Sequence, residues 1–130
     1  MEHSDFIELC KSGSLQQIND AIKNGADVNK KDEYGDTPFK MAATWNSNPE
    51  VLKALIEAGT DVNAKNINED TPLSLAARNN SNPDVITNLL KYGANAKARN
   101  PNGRLPIELA RNNKNLKGTE AFWKLNDASY

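Results

Sequence analysis

A seven-residue phrase recurs in this chain and constrains it more than anything else. Thr37-Pro38-Phe39-Lys40-Met41-Ala42-Ala43 returns as Thr71-Pro72-Leu73-Ser74-Leu75-Ala76-Ala77 and, degraded, as Leu105-Pro106-Ile107-Glu108-Leu109-Ala110-Arg111, each step being 34 residues. Gly25, Gly59 and Gly93 keep the same step, and Asn48-Pro49-Glu50-Val51 is answered by Asn82-Pro83-Asp84-Val85. A unit of this size cannot bury an apolar face alone, so the period predicts a stack of repeats.

The chemistry of each landmark describes the unit. Thr before Pro is pushed out of the helical region while Pro suits the first helical position, so Thr37 and Thr71 are expected to cap short helices through their hydroxyls. Asn48-Pro49 and Asn82-Pro83 repeat that start signal, and Gly59 and Gly93 supply a left-handed stop. Each unit is thus two short antiparallel helices. The polar, turn-rich stretch 61–70 between units suits an extended finger.

These residues resemble ankyrin repeats, whose Thr-Pro-Leu-His-x-Ala signature has a period of about 33. Gly-Asp-Thr-Pro-Phe from Gly35, Ala-Gly-Thr-Asp-Val-Asn-Ala-Lys from Ala58 and Tyr-Gly-Ala-Asn-Ala-Lys-Ala-Arg from Tyr92 carry the resemblance. It covers nearly the whole chain. It implies an all-α solenoid of stacked helix-turn-helix units with hairpin-like fingers. The departures are Lys40, Ser74 and Glu108 for the family's His, Glu69 for its finger Gly, and one extra residue before each second helix. Loss of the His implies loss of one hydrogen bond between neighbouring units.

The 130 residues are read as one domain of four units. An N-terminal cap occupies 1–31, full units occupy 32–65 and 66–99, and a C-terminal cap occupies 100–130. In the first, Phe6, Ile7, Leu9 and Cys10, then Leu15, Ile18, Ala21 and Ile22, fall at helical spacing. Cys10 aligns with Ala43 and Ala77, which reads as a small buried residue. In the last, the run Asn112-Asn113-Lys114-Asn115 disturbs the spacing. Trp123, with Phe122, is expected to cover the apolar face of the unit before it, so that its removal destabilises strongly.

With 17 acidic and 16 basic residues the net charge is −1, which gives no overall pull toward nucleic acid or an anionic membrane. There is no apolar signal-like or membrane-length run, and the single Cys cannot form an internal disulfide. A cytoplasmic location follows as the expectation. The 19 Asn residues sit mostly at caps, fingers and helix ends, and no function is read from them.

Catalysis finds little support. The single His, His3, lies beside Ser4 and Asp5, and three consecutive residues cannot converge as a triad, so it reads as an inert surface residue. No phosphate loop, paired-Cys motif or EF-hand spacing is present, and Glu50, Glu57, Asp84 and Glu108 read as helix-end and solvent-face charges. No enzyme activity, cofactor or metal is expected.

Binding is the remaining function class, and a stack presents a concave face of fingers and first helices. The resemblance implies contacts beside each finger turn and just after each Ala pair. In the second unit these are Glu33, Tyr34, Asp36, Thr44 and Trp45; in the third, Ile67, Asn68, Asp70, Arg78 and Asn79. The fourth offers Pro101, Asn102, Arg104, Asn112 and Asn113. Tyr34, Trp45 and Ile67 break an otherwise polar pattern, as interface anchors do, the alternative being that Trp45 lies against its own helices and Tyr34 packs on the neighbouring finger. Lys31, Lys65 and Arg99, again spaced by 34, form a second candidate, a basic column suited to an acidic partner or a nucleic acid. Asp36, Asp70 and Glu33 alternate with that column, which favours reading it as ordinary solvated surface, and nucleic acid is not the expected partner. The expected activity is non-catalytic binding of another protein by a monomer, with a regulatory subunit acting through the basic column as the alternative.

Overall fold

The structure is a computed structural model; it describes residues 3–130, with side chains described from Phe6 onward. The expectation for His3 concerns a side chain outside the described ones. Among the described residues eight helices follow one another: α1 (His3–Ser12), α2 (Leu15–Lys23), α3 (Pro38–Trp45), α4 (Pro49–Glu57), α5 (Pro72–Asn79), α6 (Pro83–Lys91), α7 (Pro106–Ala110) and α8 (Glu120–Ala128). They pair within each unit. The first helices α1, α3, α5 and α7 stack as one layer and the second helices α2, α4, α6 and α8 as another.

Local chemistry sets the boundaries as the sequence implied. The Thr37 hydroxyl accepts from the Lys40 N–H and the Thr71 hydroxyl from that of Ser74, while Asn48 and Asn82 cap α4 and α6. Just past the second helices, Gly25, Gly59 and Gly93 adopt φ of 97°, 100° and 92°, where a side chain is disfavoured. Phe39, Ala42 and Ala43 of α3 and Leu73, Ala76 and Ala77 of α5 are buried, against Val51, Leu52 and Leu55 of α4 and Val85, Ile86 and Leu89 of α6. Small Ala side chains let the first helices approach closely. Cys10 is buried in the same layer, as expected, and that burial pushes its thiol up to about 12, so it stays protonated and unreactive.

The units are also joined by asparagine. Asn80 donates from Nδ2 to the carbonyls of Ala43 (2.8 Å) and Asn46 (3.0 Å) in the preceding unit, while its Oδ1 accepts from the Asn82 N–H (2.9 Å). Asn46 grips the carbonyls of Cys10 and Gly13 in the same way, and Asn113 those of Ala77 and Asn80. Each of the three is almost wholly buried and satisfied, so each crosses a junction at the end of a first helix. A second series on the finger side links Asn29 to the Gly59 carbonyl and Asn63 to that of Gly93. The positions of the family's His hold Lys40 and Ser74 here. Lys40 instead pairs with Asp36 at 2.7 Å, and Ser74 closes a capping box with Thr71.

The fingers are hairpin-like turns with no strand among the described residues, and one backbone bond joins the second finger to the third. Two expectations change. Asn113, offered as a surface position, is buried because shortening of α7 brings it into the Asn46 and Asn80 slot. Trp123 does not seal the core: it is 58% exposed, edge-on to Phe122, and Ala121 and Leu125 face inward instead. Residues 121 and 125 are one turn apart, which turns 123 to the far side of α8.

Candidate interaction surface at the finger tips

Each finger tip is built on one side chain. Asp32 Oδ1 accepts the N–H groups of Tyr34 and Asp36, both at 2.9 Å. Asn66 does the same for Asn68 and Asp70, and Asn100 for Asn102 and Arg104. This Asx geometry forces the third residue of the turn to positive φ: 75° at Gly35, 77° at Gly103 and 60° at Glu69. Glu69 is thus held in the left-handed region, as its alignment with two glycines implied.

The tips of the second and third units touch. The Ile67 N–H donates to the Tyr34 carbonyl at 3.0 Å, and Ile67 lies so close to Gly35 that a Cβ there would come within 3.0 Å of its nitrogen. Glycine at 35 therefore serves both the turn and the contact. Both side chains face water, Tyr34 at 58% and Ile67 at 66% exposure.

Trp45 is placed elsewhere. It ends the eight residues of α3, about 12 Å of helix away from the finger end, and is 50% exposed. The Lys11 Nζ of α1 sits 5.7 Å from its ring centroid, a cation–π contact that covers part of the ring. The apolar trio is therefore two places: Tyr34 with Ile67 at the tips, and Trp45 with Lys11 at the opposite ends of the first helices.

Among the other expected contacts, Glu33, Asn68, Arg78 and Arg104 are exposed. Thr44 is a correction: it is 3% exposed and its hydroxyl donates to the Lys40 carbonyl of its own helix at 2.7 Å, so it presents nothing to a partner. Asp36 is mostly covered, binding Lys40 and accepting from Asn66 Nδ2 at 3.1 Å across the junction. Asp70 and Asn79 are half-buried, and Asn79 donates to the Leu75 carbonyl.

Of the basic column, exposed Lys31 and Lys65 line one surface groove together with Asp61. Arg99 is exposed but donates to the Gly103 carbonyl of its own finger at 2.7 Å. Lys11 was not anticipated, and its position one unit before Trp45 was the signal available for it. No described helix is long and apolar enough to cross a membrane.

A comparison with curated proteins finds no match for the chain. The family model for ankyrin repeats in three copies matches residues 6–100 and, overlapping them, 40–124. Together the two matches span residues 6–124, and the chain belongs to the ankyrin-repeat family.

Proposed function

We propose that this chain is a non-catalytic recognition module that binds another protein on the face formed by its finger tips and first helices. Ankyrin repeats are generally protein–protein interaction modules and are typically non-catalytic. The observation that carries the reading is the Tyr34–Ile67 pair, two large apolar side chains held in water on adjoining, backbone-linked turns. A fold gains nothing from such exposure, and aromatic anchors of this kind commonly dominate interfaces. The rigid finger geometry keeps the ordering cost of binding low. The chain acts in this reading as a cytoplasmic monomer, a setting in which a reduced Cys10 is at home.

Site-specific photocrosslinking in native lysate tests it. A crosslinker at Asn68, beside the pair, should capture a defined protein, and the capture should be lost with Tyr34→Ala, Ile67→Ala. A crosslinker at Asn88 on α6 should not capture that protein. Equal capture from both positions, or capture unaffected by the double substitution, would reject the finger face as the site. Capture that depends instead on Lys31 and Lys65 would favour the basic column.

A further inference from the structure

The chemistry around the apolar pair selects its occupant. Tyr34 and Ile67 form the exposed apolar centre of the second and third finger tips. Exposed Glu33 precedes Tyr34, and exposed Glu69 follows Ile67 by two residues. Neither carboxylate accepts a hydrogen bond or joins an ion pair among the described residues, in contrast to Asp36, which is consumed by Lys40 and Asn66. The even charge of the whole chain conceals a local excess: the second and third fingers, residues 31–36 and 65–70, carry five acidic residues and two basic ones, Lys31 and Lys65. A phosphate-rich or acidic partner would be repelled from this centre, and a basic one drawn to it.

We propose that the tips of the second and third units dock a basic segment of a partner protein, resting on the functional reading above. An arginine or lysine of that segment pairs with Glu69 and Glu33, and an apolar neighbour covers Tyr34 and Ile67. An arginine plane can also stack on the Tyr34 ring. The presence of Glu at 69 agrees with this. Glycine fills the equivalent turn position in the fingers before and after it, and Glu69 keeps a strained φ of 60° although its side chain has no partner among the described residues.

The test uses two peptides of equal length, one alternating arginine and leucine and one alternating glutamate and leucine, with affinity read by fluorescence anisotropy. The arginine peptide should bind, more weakly as salt rises, and the glutamate peptide should not. Glu69→Gly should weaken binding about tenfold, as loss of an interfacial charge partner does, while raising Tm by about 3 °C through relief of strain. Glu69→Gln, which keeps the turn strained, should weaken binding similarly and leave Tm unchanged. No binding of the arginine peptide, preference for the glutamate peptide or a DNA oligonucleotide, or wild-type affinity in both Glu69 variants overturns the proposal. If Glu69 variants bind normally while Tyr34→Ala, Ile67→Ala abolishes crosslinking, the finger face remains the site and only the basic occupant is wrong.

Discussion

The junction between the second and third units and the junction between the third and fourth are built from the same template and connected differently. In the former, Ile67 donates to Tyr34, Asn66 reaches Asp36, and Thr71 caps an eight-residue α5. In the latter, Pro101 occupies the Ile67 slot and has no N–H to give, Leu105 replaces the capping Thr, and α7 keeps five residues. The clamp survives the change. Asn113 holds two carbonyls of the preceding unit in the same geometry as Asn80, with bonds of 3.0 Å. The finger-tip connections are lost at the end of the stack, whereas the apolar layer and the buried asparagine are retained.

That contrast can be broken at four points. The largest expected effect is at the apolar layer of the last unit. Leu125→Ala should destabilise by about 3 kcal/mol, whereas Trp123→Ala should cost less than about 1 kcal/mol because that ring faces water. Denaturant unfolding reads both, and a larger effect from Trp123 would mean that α8 is rotated. Next comes the clamp: Asn80→Ala should cost about 2 to 3 kcal/mol by stranding two buried carbonyls and the Asn82 N–H. Asn113→Ala should cost less, since water can reach the last unit from its open side. Equal costs would show that the two junctions close equally tightly.

A smaller effect is expected when the inner junction is made to resemble the outer one. Ile67→Pro removes the finger-to-finger donor at a position whose counterpart is already proline, and should cost about 1 kcal/mol. An unchanged midpoint would make that bond energetically silent. The mildest prediction concerns local opening in the intact protein. Amides from 100 to 120 should exchange faster than those of α3 and α5, because few bonds tie the last finger to its neighbour. Uniform protection would show that the stack opens only as a whole.

Much of this was legible in the sequence because it depends on backbone-level chemistry. Thr-Pro and Asn-Pro pairs fix helix starts, Gly fixes stops, and the equivalence of Glu69 to two glycines left two places for a positive φ, Glu69 itself or Asn68, of which the structure has Glu69. Cys10 followed from its alignment with Ala43 and Ala77. What escaped depends on side-chain direction. Trp123 was read from its size, but the spacing of Ala121 and Leu125 decides which face of α8 turns inward. Thr44 was read from a family position, while its own hydroxyl satisfies its helix and lets it be buried. The asparagines recur at 46 and 80 with the step of the repeat, yet nothing in a polar residue's identity says that its amide is buried against a neighbour's carbonyls. At the finger tips, sequence named Tyr34, Trp45 and Ile67 together, and only the length of α3 divides them.

The clamp bears on how a chain like this can change length. Asn46, Asn80 and Asn113 grip main-chain carbonyls, groups that every residue type carries, so the fit across a junction does not depend on which side chains the preceding unit displays there. A whole 34-residue segment duplicated in frame would bring its own amide to the next set of carbonyls and offer its own carbonyls to the amide that follows. Copies could then be added or removed between the ends without redesigning either neighbour, and the finger tips would remain free to diverge in what they recognise.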